Sequence, residues 1–375
     1  MELAVKTESF KKVVSCASRA TSSKSIQPIL NNILLSSENG SLVVSATDLD
    51  LAIECKLPAE TVTSGQITLP AKKLDEIVNK VTGLDIKLTI DKNQLTKITS
   101  DRSKFQINGV LPEDFPKVIT KSGKEKELEM KQADLLQALS LTSFACSKYD
   151  VSSVLSGINF EIRQNEFEVG GTDGSRLARY VGKLKGAKGQ KEQAVIPWRA
   201  SCELERLMSC FTEGNENITI SFLPGQVIFQ NNDFTLSTRL IDSKFPSYTE
   251  LIPKGQENKA VFSRISLFSA LERVAILANE RTNVVKLSFS KKSSTCQITA
   301  HSPDYGNAQD EVDVEYEGSD LEIAFNYRFL SEALRSLDTE KVVIELESPL
   351  SPLLLKLTEE AGFDYTYLIM PVQLR

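Results

Sequence analysis

The sequence has 375 residues, more than one hydrophobic core serves, so two or three domains are expected. Its formal net charge is −6 and 41% of its residues are hydrophobic, an ordinary balance for a soluble globular chain and a weak argument against nucleic-acid binding by the average surface. No apolar run is long enough to span a bilayer, the N-terminus lacks the pattern of a signal peptide, and the six scattered cysteines form no CxxC pair, which reads as reduced thiols in a cytosolic protein.

In chain order, the strand "LAVKT" leads into the helix "ESFKKVVSCASRA". Its apolar residues Phe10, Val13, Val14 and Ala17 fall at i, i+3, i+4 and i+7, and Thr7 is the expected N-cap. "NNILLSSENGSLVVSATD" then reads as two alternating strands around the turn "ENG". "AKKLDEIVNKV" is a second helix, with Leu74, Ile77, Val78 and Val81 on one face. Helical segments are predicted over 7–20, 71–82, 131–148, 197–211, 263–278 and 326–337.

These elements repeat. "ITLPAKKLDEIVNKV", "AVIPWRASCELERLM" and "IAFNYRFLSEALRSL" align at Pro70, Pro197 and Asn326, spaced by 127 and 129. "SATDLDLAIE" and "GGTDGSRLARY" align at Asp48 and Asp173, 125 apart. "VLPEDFPKV" and "LIDSKFPSY" align at Pro116 and Pro246, 130 apart, and read as interdomain linkers. Units this long are domains rather than solenoid repeats. Two helices among many antiparallel strands make each one α+β, with boundaries expected at 1–122, 123–253 and 254–375.

Charge is sorted by element. The six helical segments carry 14 basic and 8 acidic groups, a net of +6, so the rest of the chain carries −12. If the helices line one common surface, that surface is basic on an acidic molecule. It suits phosphate contact without base reading, and the scarcity of exposed aromatics on the helices favours a duplex over a single strand. Ordinary solvated helix faces are the competing account.

No catalytic constellation is visible. His301, in the turn-like "AHSPDYGN", is the only histidine and reads as an exposed loop residue. No Cys, His or carboxylate group has metal-ligand spacing, and GxxxxGK[ST], GxGxxG and GxSxG are all absent. Thr172-Asp173-Gly174 reads as a tight turn leaving a strand. A scaffold without cofactor or metal is expected, not a catalyst. The chain closes on "YTYLIMPVQLR", an apolar tail with a proline inside it. On the repeat, this is the last strand of the last domain plus an apolar overhang, which either packs on its own domain or serves an outside partner.

The three tandem units, "TDGSRLARY", the two "FP" linkers and the ending "YLIMPVQL" together resemble the bacterial sliding clamp, the β subunit of DNA polymerase III, over the whole chain. The resemblance implies three domains of the DNA clamp fold, with two copies closing head-to-tail into a ring around duplex DNA, helices inside and sheets outside. It implies a non-catalytic processivity subunit in the cytoplasm, free of membranes. That subunit tethers the polymerase catalytic subunit, clamp loader and repair proteins through short linear peptides. The runner-up is a clamp-like peptide-binding accessory protein that does not encircle DNA; the basic helices and third domain argue against it.

By the same resemblance, the peptide pocket includes Leu155, Thr172, Gly174, Ser175, Arg176, Leu177, Pro246 and Leu251, with Asn326, Phe329, Pro349, Ser351, Leu368, Ile369, Met370, Pro371, Val372 and Leu374. Leu368 to Leu374 are expected to form an exposed apolar wall. Ser175, Glu250 and Gln373 depart from residues common in the family and Arg375 is an extra residue, which bears on peptide preference. Lys24 matches a loop that touches DNA in the family. The candidates for the inner helix faces are Lys11, Lys12, Arg19, Lys73, Lys80, Lys148, Arg199, Arg206, Arg273 and Arg335, with Tyr149 beside Lys148. Phe105 and Ile107 are expected to meet Ile276 and Leu277 across the subunit boundary.

Overall fold

The computed structural model describes residues 1–22, 27–38, 40–117, 126–148, 153–184, 191–214, 216–358 and 362–373. The chain packs as two units, Met1–Leu136 with Arg199–Ile241, and Gln137–Trp198 with Asp242–Arg375. The six predicted helices are present as α1 (Thr7–Ala17), α2 (Ala71–Val78), α3 (Gln132–Thr142), α4 (Trp198–Cys210), α5 (Arg264–Ala275) and α6 (Tyr327–Ser336). The divisions between the units fall inside α3 and after the first residue of α4.

Periodicity places the α1 face correctly: Phe10, Val13, Val14 and Ala17 are all buried. The cap is different. The strand Glu2–Lys6 runs straight into the helix, so Lys6 takes the N-cap place without a side-chain bond. Thr7 is already helical, and its N–H donates to the Leu84 carbonyl at 3.0 Å. α2 is shorter than its apolar pattern. Leu74 and Val78 are buried within it, while Val81 is buried beyond its end.

The first unit holds two antiparallel sheets. A five-stranded sheet ends on the edge strand Ser103–Asn108. An eight-stranded sheet ends on Gly65–Pro70 and is stitched at its middle by a ladder between Leu51–Pro58 and Phe234–Arg239, where Leu236 faces Ile53. The second unit is built on a twelve-stranded antiparallel sheet. A corresponding ladder stitches it, between Arg176–Lys183 and Asp364–Ile369, with Tyr367 opposite Ala178. The far edge is Leu321–Asn326.

The linkers attach through their phenylalanines. Phe115 and Phe245 are buried, whereas Pro246 is exposed. His301 is the penultimate residue of the strand Thr295–Ser302 instead of lying in a loop, exposed and facing Asn307. All six cysteines are free thiols. Burial pushes the Cys296 thiol up to about 12, which makes it a poor nucleophile at neutral pH.

Candidate functional site

The predicted turn after Thr172 is built by its own side chains. Asp173 Oδ1 accepts the N–H groups of Ser175 at 2.9 Å and Arg176 at 3.1 Å. Thr172 Oγ1 accepts from Gly174 N–H at 3.1 Å and donates to the Arg176 carbonyl. Gly174 has a φ of +88°, a conformation that costs glycine nothing. The repeat builds the same turn in the first unit. There Asp48 Oδ1 accepts from Asp50 and Leu51, and Thr47 Oγ1 bonds Leu49 N–H and the Leu51 carbonyl at 3.0 Å each. A leucine stands where the second turn has glycine, held at a φ of +81°.

Each turn also carries a guanidinium, brought from a different element. In the second unit Arg176 donates Nε to Asp173 Oδ2 at 3.0 Å, one terminal nitrogen to the Phe144 carbonyl at 2.8 Å, and the other to Glu332 of α6. It lies over the Phe329 ring at 4.4 Å and is only 6% exposed. Burial opposes its charge, but Tyr367 and the Glu332 carboxylate outweigh burial and leave its pKa raised. In the first unit Arg199 of α4 takes this place, pairing with Asp48 and donating to the Arg19 carbonyl at 2.9 Å. The Phe144 and Arg19 carbonyls both belong to 3-10 turns that follow a helix, Ser143–Ala145 and Ser18–Ala20.

The tail reaches this turn. Met370 N–H donates to the Ser175 carbonyl at 2.9 Å, and Val372 N–H donates to the Ala324 carbonyl at 2.7 Å. Met370 and Val372 are 44% and 38% exposed, so they form an apolar surface beside the turn. Leu368 and Ile369 do not belong to that surface. They lie in Asp364–Ile369, paired to a strand on either side, and are 5% and 0% exposed. Leu177, opposite Leu368, is likewise buried. Asn326 caps α6 by accepting from Arg328 N–H at 3.0 Å, and the Phe329 carbonyl accepts from the Tyr367 hydroxyl at 2.9 Å. Ser351 closes a serine turn on Ser348, with Pro349 exposed between them.

Leu251 is 65% exposed and Pro246 is exposed. Their linker is held by Tyr248, whose hydroxyl donates to Glu168 at 2.7 Å and accepts from Asn159 at 3.2 Å. Glu168 is 4% exposed and paired with Arg179 at 2.9 Å. Gly170 makes room, since a Cβ there would stand 2.4 Å from the Tyr248 hydroxyl oxygen. Leu155 follows Ser153, which accepts its N–H at 3.2 Å. The side chains holding the site together, Glu332, Glu168 and Tyr248, were not among the predicted residues. Only tertiary contact reveals them, although Glu332 shares its place on α6 with Glu203 on α4 under the repeat.

The predicted phosphate contacts divide between the units. In the first, Lys11, Lys73 and Arg206 pair with acids on their own helices, Glu8, Glu76 and Glu203. Arg19 also meets Glu203, at 3.5 Å, and Lys12 lies 4.2 Å over the Phe211 ring; Lys80 is exposed. In the second, Lys148 lies over Trp198, Arg335 over Phe268, and Arg273 pairs with Asp310 at 2.7 Å. Surface pairs of this kind contribute at most about 1 kcal/mol and can exchange for phosphate. Lys24, Tyr149 and Leu374 lie outside the described residues. Phe105 and Ile107 are half-buried on the edge strand Ser103–Asn108; beyond α5, Ile276 is 77% exposed and Leu277 half-buried.

Three family models match in tandem, the N-terminal, central and C-terminal domains of the DNA polymerase III beta subunit, over residues 1–119, 129–247 and 249–373. The beta sliding clamps of Synechococcus elongatus and a Synechocystis species are 33% and 32% identical, each over the whole of both chains. Among solved structures, a DnaN sliding clamp of Pseudomonas aeruginosa bound to griselimycin matches with a TM-score of 0.91 at 28% identity. The DNA polymerase sliding clamp of Bacillus subtilis matches with 0.90 at 25%, and both matches cover each chain completely.

Proposed function

This chain belongs to the DNA polymerase III beta subunit family, and we propose that two copies of it close head-to-tail around duplex DNA. It is a DNA sliding clamp of replication and a non-catalytic processivity factor. Three domains of about 125 residues, near 1–122, 123–253 and 254–375, fit the repeat; the first of these boundaries falls outside the described residues.

One observation carries the head-to-tail arrangement. Two equivalent ladders stitch domain to domain within the chain, and each uses a strand of the same kind. Phe105 and Ile107 stand 129 residues before Phe234 and Leu236, the residues that make the first ladder, yet Ser103–Asn108 is an edge. Its complement is the first half of Gly306–Glu317, which among the described residues pairs on one flank only, with Thr295–Ser302. α5 packs on that strand, with Arg273 paired to Asp310, and we assign Ile276 and Leu277, just past the end of α5, to the contact made at the open flank. Pairing the two across copies gives each of these open flanks a partner.

The basic helix residues meet phosphates weakly and without reading sequence, so the ring slides. The turn Thr172–Arg176, the Met370–Val372 tail and the start of α6 form the docking surface for short peptides of the polymerase catalytic subunit, clamp loader and repair proteins. Met370 adapts to different apolar anchors because its side chain is flexible. The protein works in the cytoplasm, and no helix among the described residues is long and apolar enough to cross a membrane.

The test is topological. Protein loaded on nicked circular DNA is expected to stay bound through gel filtration and to leave when the circle is linearised. Retention on the linear product refutes encirclement and favours an ordinary DNA binder.

A further inference from the structure

Three of the free cysteines converge in the first unit, each from a different element. Cys16 lies in α1, Cys55 in the ladder strand Leu51–Pro58, and Cys210 is the last residue of α4. The outer two stand 194 positions apart, so nothing along the chain announces the group. Two contacts fix how α1 and α4 meet. The Lys12 ammonium lies 4.2 Å over the ring of Phe211, the residue after Cys210, and Arg19 reaches Glu203 at 3.5 Å. Advancing along α1 retreats along α4, so the helices run antiparallel here, with Cys16 between the two contacts. The Cys16 and Cys210 side chains are hydrogen-bonded to each other. Cys55 belongs to the same cluster. α1 packs on its strand, Phe234 stands opposite it in the ladder, and the Phe234 ring meets that of Phe211 at 5.9 Å.

The three thiols differ in access. Cys16 and Cys55 are 5% and 0% exposed, whereas Cys210 is half-buried and open to a small solute. Burial first, and then the neighbouring Cys210, push the Cys16 thiol up to about 12, and burial raises Cys55 as well. Both stay protonated at neutral pH, which makes them poor first nucleophiles. Among the described residues no three His, Cys, Asp or Glu side chains are placed to hold a metal ion, which leaves covalent pairing as the chemistry open to the group. Thiols already in contact need only a small inward movement to reach an S–S bond of about 2.0 Å.

We propose that Cys210 and Cys16 form a hydroperoxide-sensitive pair, whose disulfide staples the first repeat to the second beside the ladder between Leu51–Pro58 and Phe234–Arg239. The Cys210 sulfur attacks one oxygen of the hydroperoxide. The O–O bond breaks, the other oxygen leaves with the thiol proton as water or an alcohol, and Cys210 becomes a sulfenic acid. The Cys16 sulfur then attacks the sulfenic sulfur. An S–S bond forms, the S–O bond breaks, and the hydroxyl leaves with the Cys16 proton as water. Two thiols are oxidised and one hydroperoxide is reduced, so no further reagent is needed. Confinement beside Cys210 offsets the weak nucleophilicity of a protonated Cys16. The bridge joins positions far apart in the chain, the case in which a cross-link constrains the unfolded state most.

The test treats the full-length protein with hydrogen peroxide and compares it with protein kept in dithiothreitol. Thiols titrated in denaturant are expected to fall from six to four. A non-reduced tryptic digest is expected to contain the Cys16 peptide joined to the Cys210 peptide, and the urea midpoint to move upward. Dithiothreitol is expected to reverse all three changes. Cys210→Ser is expected to remove the bridge, and Cys202→Ser, earlier on α4, to leave it. Six titratable thiols after peroxide, a bridge through Cys55 or Cys202, or oxidation that stops at a Cys210 sulfinic acid with Cys16 still a thiol overturns the pair. The wild-type digest decides between these outcomes even where Cys210→Ser does not fold.

Discussion

Replacing Arg176 by methionine is expected to unfold the second unit far more readily than the same change at Arg199 affects the first. The two guanidiniums have matching partners: a turn aspartate and the carbonyl of a 3-10 turn. The aspartates are similarly shielded, with side chains 19% exposed at Asp173 and 12% at Asp48. The guanidiniums are not, since the Arg176 side chain is 6% exposed and that of Arg199 48%. Removing one partner of a fully buried pair costs about 3–5 kcal/mol. Glu332 is 36% exposed and can turn to water, which lowers the loss. The Phe144 carbonyl loses a donor, about 1 kcal/mol, and methionine keeps the packing on Phe329. The expected loss for Arg176→Met is ~3 kcal/mol in all, against about 1 kcal/mol or less for the exposed pair of Arg199→Met. Urea unfolding of both variants, compared at unchanged m value, measures the difference. Equal losses, or a larger loss at Arg199, would refute the argument that burial of the guanidinium decides its worth.

Tyr248→Phe removes the hydroxyl that reaches the buried Glu168, so a stability loss of about 1–3 kcal/mol and weaker binding of a labelled C-terminal peptide of the polymerase catalytic subunit are expected by urea unfolding and anisotropy. Unchanged binding would show that the linker does not position the docking surface. Deleting Met370 to Arg375 removes the bonds to Ser175 and Ala324, roughly 1–2 kcal/mol, and is expected to abolish peptide binding while light scattering still reports a dimer. Equal peptide affinity of truncated and full-length protein means the tail only packs on its own domain. Ile276→Asp with Leu277→Asp is expected to give a monomer, and a dimer by light scattering would show the interface misassigned. Duplex binding by the unloaded protein is expected to fall steeply with salt and to ignore sequence, as checked by anisotropy over a salt series on unrelated duplexes.

The sequence by itself determined the parts that depend on neighbours along the chain. The i, i+3, i+4, i+7 spacing of Phe10, Val13, Val14 and Ala17 marks a helix face because one turn of helix brings those positions together. The repeat of Pro70, Pro197 and Asn326 marks three helix starts, and Thr172-Asp173-Gly174 marks a turn whose bonds span at most four residues. Tertiary structure decided what depends on burial from a distance. Thr7 is not the N-cap, because the preceding strand delivers the chain already extended at Lys6. Leu368 and Ile369 are core rather than wall, although the tail reads as uniformly apolar, because strands on either side cover them. Alternation cannot separate a strand covered on both faces from an exposed apolar run. Glu168, Tyr248 and Glu332 were silent for a related reason. Their partners lie 80 residues away for Tyr248 with Glu168, and 156 for Arg176 with Glu332, and only the folded sheet brings such positions to hydrogen-bond distance.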